Sequence, residues 1–214
     1  MFHIIHKSLP FFLFFSFIST LCAEESYLTP AQLANCTACH GTHGVSSNPM
    51  WPNLAGLDAA YSVKQIHDMK KHTRNMPLMV GIISTLSEEE LQSIAEYYQH
   101  QRISIGITPK TSLERGEQLY RGGDRQKHIS ACIACHGPTG EGNGQAGFPL
   151  LSGQQALYTM QQLKAFKTKQ RSNDLNGIMR SIASYMGDDD MKAVAEYIQG
   201  LYPRDRLSTC CQTR

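Results

Sequence analysis

Apolar residues return at helical intervals in two matching places along the chain. Leu91, Ile94, Ala95 and Tyr98 fall at i, i+3, i+4 and i+7, and Met191, Val194, Ala195 and Ile198 repeat those intervals 100 positions later. That spacing lines one face of a helix. Ser87-Glu88-Glu89-Glu90 ahead of the first run is a capping-box sequence. Asp188, Asp189 and Asp190 put negative charge at the start of the second helix, where the helix dipole favours it. Gly200 and Pro203 punctuate its end. Val63, Ile66 and Met69 are spaced by three, as are Met160, Leu163 and Phe166, which suits a buried helix stripe. A further helix is expected near 113–120, stopping at Gly122-Gly123, with a short counterpart near 30–35. No useful run alternates apolar and polar residues, so the expectation is an all-α chain.

The pattern is a repeat. Pro52-Asn53-Leu54-Ala55-Gly56 answers Pro149-Leu150-Leu151-Ser152-Gly153 at an offset of 97, and so do Tyr61 and Tyr158, Gln65 and Gln162, and Arg74 and Arg171. Glu96-Tyr97 answers Glu196-Tyr197 at an offset of 100. A duplicated domain explains this more simply than chance. Helical periodicity breaks at Gly106-Ile107-Thr108-Pro109. The expected division is residues 1–23 as an export signal, 24–105 and 106–205 as two domains, and 206–214 as a tail holding Cys210 and Cys211. Each half is of a size at which an apolar core is marginal.

Charge adds little. Twenty Lys and Arg stand against 18 Asp and Glu, and no basic run suggests nucleic acid. The N-terminus adds more. Lys7 precedes an apolar, Phe-dense run of 13 residues over 9–21, and Leu21-Cys22-Ala23 offers a cut after Ala23. That run is shorter than the ~20 residues that span a bilayer. A cleaved signal and export to the periplasm are expected, with an uncleaved anchor as the alternative. Cleavage removes Lys7 and leaves 19 basic against 18 acidic residues.

The chemistry lies in Cys36-Thr37-Ala38-Cys39-His40 and Cys132-Ile133-Ala134-Cys135-His136. C-x-x-C-H is the attachment site of c-type haem. Two thiols add to the haem vinyl groups, and the adjacent His supplies the proximal nitrogen. Two motifs imply two covalent haem c, whose four propionates would leave the holoprotein slightly acidic. The sixth ligand decides between an open and a closed iron. No His follows His136, so the second half offers only Met160, Met179, Met186 or Met191 from its own later segment. Met160 and Met191 sit on apolar stripes, and Met186 matches Leu86. Met179 matches Met79 at an offset of 100, in what reads as the loop before each last helix. Met79 and Met179 are therefore the expected ligands, with Met76 in reserve. His43, His67, His72, His100 and His128 have no repeat partner and read as surface residues.

A haem-ligating His generally donates its other ring N–H to a carbonyl. Pro52 and Pro149 stand 12 and 13 residues past their His, so each is either that acceptor or a turn proline. Tyr61, Gln65, Tyr158 and Gln162 could bond the propionates, the facing domain or ordinary helix neighbours. Arg74 and Arg171 could pair with propionates. The glycine-rich 137–147 segment lacks the preceding strand and the Lys-Ser/Thr ending of a phosphate loop, and reads as a loop over the haem edge. Cys210 and Cys211 are adjacent, which strains the preferred disulfide geometry. Free thiols or an interchain bond are the readings.

These motifs, the Pro-x-Leu-x-Gly after each, the paired Met79 and Met179, and Gly116-Glu117-Gln118-Leu119-Tyr120-Arg121-Gly122-Gly123 resemble the dihaem cytochrome c4 family. The resemblance implies two class I cytochrome c folds related by a pseudo-twofold, with propionate edges facing across the interface. It implies a periplasmic, loosely membrane-associated relay from the quinol-oxidising side of a respiratory chain, a bc1-type complex, towards a haem–copper terminal oxidase. Each iron would cycle between Fe(II) and Fe(III) without catalysing a reaction. The rival readings are the dihaem subunit of a sulfur-oxidising flavocytochrome or other periplasmic dehydrogenase, and a peroxidase or thiosulfate-oxidising cytochrome. The short first helix and the two-cysteine tail depart from the family pattern.

Overall fold

The computed structural model describes residues 30–202. The export signal and Cys210 and Cys211 lie outside them. The first half holds α1 (Pro30–His40), α2 (Ala59–Lys70), α3 (Pro77–Ile83) and α4 (Glu88–Gln99). The second holds α5 (Lys110–Gly122), α6 (Ile133–His136), α7 (Ala156–Lys167), α8 (Ile178–Ser184) and α9 (Asp188–Gln199). Strand pairing among the described residues is limited to isolated bridges, and the all-α expectation holds.

The two last helices form as their stripes predict. Ser87 Oγ accepts from Glu90 N, and Glu90 Oε2 accepts from Ser87 N, which closes the capping box of α4. Leu91, Ile94, Ala95 and Tyr98 are buried, as are Met191, Val194, Ala195 and Ile198 on α9. Tyr197 and Ala193 are buried too, because α5 crosses α9 there. The crossing needs Gly116, since an added Cβ would run into the Ala193 carbonyl.

The repeat survives in three dimensions. The Gly44 carbonyl accepts from Leu54 N and Ala55 N, and the Gly140 carbonyl accepts from Leu151 N and Ser152 N. Gly56 N donates to the Tyr98 carbonyl on α4, and Gly153 N to the Ile198 carbonyl on α9. Each loop after a C-x-x-C-H motif is thereby pinned to the last helix of its half. Gln99 and Gln199 then reach back to accept from Ala59 N and Ala156 N, the first residues of α2 and α7.

Two local expectations change, and the end of α5 falls where it is expected. The helix expected near 30–35 continues through the first motif to His40. In the second half, Gly123 at φ 66° stops α5, and Asp124 and Ile129 exchange backbone bonds before the short α6 begins. The segments carrying Met79 and Met179 are seven-residue helices rather than loops. Pro77 starts α3 at a position where its missing N–H costs nothing. The second half inserts a 3₁₀ turn, Leu175–Gly177, before α8, and this accounts for the change of offset from 97 to 100.

Asp190 does more than favour the helix dipole. It is 3% exposed and bonds Arg115 Nη2 at 2.6 Å, Lys127 Nζ at 2.8 Å and Gly187 N at 3.2 Å. Burial pushes its carboxyl pKa up, but the Lys127, Arg115 and Gly187 bonds outweigh that and bring it from 3.8 down to about 2. A depressed pKa stabilises the fold fully above the unfolded value and stops doing so as pH falls through the folded one. Asp190→Asn should therefore lose roughly 2 kcal/mol at neutral pH, by the ~1.4 kcal/mol per pKa unit of linkage. Denaturant unfolding across pH 7 to 2 should show the gap from wild type closing between about pH 4 and pH 2.

Candidate functional site

In the first motif the two cysteines lie one helical turn apart on α1. In the second, Cys132 is the N-cap residue of α6 and Cys135 lies within it. A spacing of three puts both thiols of a pair on one helix face. All four are free and half-buried. Burial raises the Cys36 thiol pKa, helped by Cys39, and pushes that of Cys132 up to about 11. Neither is the low-pKa thiolate that a disulfide-exchange site uses. Among the described residues no three His, Cys, Asp or Glu gather to hold a metal ion.

His40 and His136 are each 6% exposed. Their Nδ1 atoms lie 2.9 Å from the Pro52 carbonyl and 3.0 Å from the Pro149 carbonyl. A carbonyl only accepts, so each Nδ1 carries the proton and each Nε2 keeps its lone pair for a ligand. Burial lowers both imidazole pKa values, against the opposing pull of the carbonyl bond, which keeps the rings neutral. Both prolines are acceptors, whichever turn they also make.

One continuous cavity of about 660 Å³ runs between the halves and is lined by both motifs, Met79 and Met179. Met76, the N-cap residue of α3, lines it as well. Met186 and Met191 are buried in the second core, and Met160 packs against it. His43, His72, His100 and His128 are exposed, while His67 is half-buried and pairs with Glu88 at 2.7 Å. The tip of the glycine-rich loop, Gln145 to Phe148, borders the cavity.

The matched polar residues bond across the halves. Arg74 donates to Gln65 Oε1 at 3.0 Å in its own half and to Tyr158 Oη at 2.9 Å in the other. Arg171 mirrors this with Gln162 Oε1 at 2.9 Å and Tyr61 Oη at 3.2 Å. The backbones of Arg74 and Arg171 form an antiparallel bridge. Tyr61 and Tyr158 thus each bond the facing domain.

This network tests whether the residues suit haem. Arg74 and Arg171 are buried, and their hydrogen bonds go to Gln, Tyr and Asn oxygens. A buried guanidinium without an anion is costly. Arg74 Nε, Tyr98 Oη and Thr159 Oγ1 are buried polar atoms without a protein partner, and all three residues line the cavity. Propionates beside an apolar ring are the groups this lining fits.

Asn53, Ser46, Gln154 and Gln155 were not singled out from the sequence, yet they hold the halves together. Asn53 Nδ2 donates to the Gly153 carbonyl at 2.9 Å, and Gln155 Nε2 to the Ser46 carbonyl at 2.8 Å. For Asn53 and Gln154 the signal is a polar residue at an apolar repeat position, since Asn53 answers Leu150 and Gln154 answers Leu57.

A family model described as "Cytochrome c" matches residues 113–202, and one described as "Cytochrome C oxidase, cbb3-type, subunit III" matches residues 31–97. The chain is 42% identical over 181 residues to "Cytochrome c4" of Pseudomonas aeruginosa, covering 84% of this chain and 90% of the relative. It is 39% identical over 173 residues to "Thiosulfate dehydrogenase electron acceptor" of Stutzerimonas stutzeri, covering 78% of this chain and 79% of that one. The solved structure of reduced recombinant cytochrome c4 from Pseudomonas stutzeri superposes with a TM-score of 0.78 at 39% identity, over 80% of this chain and 96% of that one.

The crossed Arg–Tyr pairs should be energetically coupled. A double-mutant cycle of Arg74→Gln and Tyr158→Phe, read by denaturant unfolding of the holoprotein, should give a coupling of about 1.5–3 kcal/mol, as for a hydrogen bond to a charged group. Additive losses would mean the contact carries no weight.

Proposed function

The chain belongs to the cytochrome c4 family and carries two covalent haem c in an electron-transfer protein, and from this premise we propose how it does so. Cys36 and Cys39 hold one haem and Cys132 and Cys135 the other. His40 with Met79, and His136 with Met179, would hold the two irons. The two domains span residues 24–105 and 106–205, and residues 1–23 direct export to the periplasm. The chain passes single electrons from a bc1-type quinol-oxidising complex towards a terminal oxidase and catalyses no reaction itself.

The observation that carries this reading is the doubled site. Twice, a buried neutral imidazole with its Nδ1–H held by a proline carbonyl shares one cavity with a methionine at a matched position. Bound haem supplies the one-electron Fe(II)/Fe(III) couple. The carbonyls fix each imidazole plane and raise its basicity. The Met79 and Met179 thioethers would hold the two irons together with the histidines, and a thioether ligand would favour Fe(II). The apolar lining excludes water. These fixed groups keep reorganisation small, which suits a carrier rather than an enzyme. Among the described residues no helix is long and apolar enough to cross a membrane, so membrane association of that part would be peripheral.

A second reading has its own support. Relatives named "Thiosulfate dehydrogenase electron acceptor" match at 39% and 38% identity over most of this chain. On that reading the electrons come from a sulfur-oxidising dehydrogenase, a flavocytochrome included, rather than a quinol-oxidising complex. Stopped-flow reduction of the oxidised protein by each donor separates them. The quinol route predicts the larger rate constant with the bc1-type complex. A larger one with thiosulfate dehydrogenase would move this chain to the second reading.

The ligand assignment is checked by the weak far-red absorption band of oxidised His/Met haem. Met79→Ala and Met179→Ala should each remove about half of its intensity, while Met76→Leu should leave it whole. Loss of half the band in Met76→Leu would transfer the first ligand to Met76.

A further inference from the structure

One contact behind the His40 bond has no counterpart behind the His136 bond. The peptide group between Pro52 and Asn53 is bonded at both ends. Its carbonyl, on Pro52, accepts from His40 Nδ1 at 2.9 Å. Its N–H, on Asn53, donates to Gln154 Oε1 at 2.8 Å, and Gln154 belongs to the other half. Gln154 Nε2 returns a bond to the Asn53 carbonyl at 2.9 Å. The amide orientation is therefore set by two backbone groups that can only donate and only accept. Gln154 Oε1 also accepts from Gln155 N at 3.0 Å, so it is held from its own side. Asn53 is 7% and Gln154 8% exposed, a setting in which successive hydrogen bonds polarise one another.

The counterpart contact cannot form. The repeat places Leu57 where Gln154 stands and Leu150 where Asn53 stands, and both are buried. A leucine side chain can neither accept from the Leu150 N–H nor return a bond. His136 and Pro149 therefore have a local hydrogen bond with no side-chain relay from Leu57 behind it.

We propose that Gln154 is a positioning residue through which the C-terminal domain tunes the proximal ligand of the N-terminal haem. This rests on the proposed ligation by His40. An acceptor at the Asn53 N–H draws that proton out and leaves more electron density on the Pro52 oxygen. The oxygen then takes a stronger bond from His40 Nδ1–H. The imidazole gains basicity at Nε2, which favours Fe(III). The control runs one way, from the second domain onto the first haem.

The test is a potentiometric titration of the full holoprotein with the two haems resolved, together with the His40 Nδ1–H proton resonance. Gln154→Leu should shift the first haem towards Fe(II) by about three- to tenfold in its equilibrium constant, tenfold being 59 mV for one electron. The second haem should stay in place, and the Nδ1–H signal should move in the direction of a weaker bond. Asn53→Leu removes side-chain bonds at the same interface but keeps the backbone N–H, and it should leave the first haem unchanged. Gln154→Glu keeps an acceptor and adds negative charge, so it should shift the first haem towards Fe(III). If Gln154→Leu does not fold, the Nδ1–H signal of Gln154→Glu carries the test: it should move in the direction of a stronger bond, and an unmoved signal beside a shifted potential would overturn the relay.

A shift towards Fe(III) in Gln154→Leu would overturn the relay, since that is what water entering a loosened interface produces. Equal shifts in Gln154→Leu and Asn53→Leu would overturn it too, as would a shift towards Fe(II) in Gln154→Glu. Hyperfine-shifted His40 ring protons in the oxidised wild type test ligation separately. Their absence would refute the ligation reading itself, which no variant result can mimic.

Discussion

Two hydrogen bonds from buried histidines, from His40 to the Pro52 carbonyl and from His136 to the Pro149 carbonyl, are the constraint around which each half is arranged. Each needs a loop that leaves the motif, turns at a glycine and returns its proline to the ring. Gly44 and Gly140 make those turns at φ 75° and 76°, a region costly for residues with a Cβ. Their carbonyls then accept from the residues just past the proline. The loop is finally tied to α4 or α9 through Gly56 or Gly153. The stripes that bury α4 and α9 thus serve the histidines as well as the core.

The halves are unequal in what they bury. Among the described residues one buried cluster in the second half includes Leu119, Tyr120, Val194 and Ile198, and the smaller one in the first half is Leu33, Ile94 and Tyr98, with Leu91 and Ala95 buried beside it. The difference follows from the first helix. The crossing of α5 over α9 fills the second half, while among the described residues the first has only α1, which runs directly into its motif. A half with the smaller cluster depends more on its cofactor and on its neighbour. The neighbour supplies Gln154, Gly153 and Gln155 to the first loop, and the Arg74 and Arg171 network closes the rest of the face.

Most of this was legible because duplication turns a weak pattern into a comparison. A lone methionine near a helix is usually packing. Met79 and Met179 stood out because they recur in register, and both line the cavity. Arg74, Arg171, Tyr61 and Tyr158 stood out in the same way. What the comparison could not supply was direction, because a tyrosine on a helix face reads alike whether it meets a propionate or a facing domain. It also passed over Asn53 and Gln154, whose importance lies in breaking the repeat. The helical setting of Met79 and Met179 was hidden because a seven-residue helix spans two turns, too few for a periodicity to show. The continuation of α1 through the first motif was hidden by its threonine and cysteines, which are middling helix formers.

We propose that Met79 and Met179 close the two irons that His40 and His136 hold, which would leave the protein carrying electrons and binding no small substrate at iron. Absorption of the native reduced protein with and without carbon monoxide tests it most directly. Superimposable spectra would accord with two six-coordinate sites. A change in one haem, with the shifted bands of a carbon monoxide adduct, would show an open iron and contradict the claim.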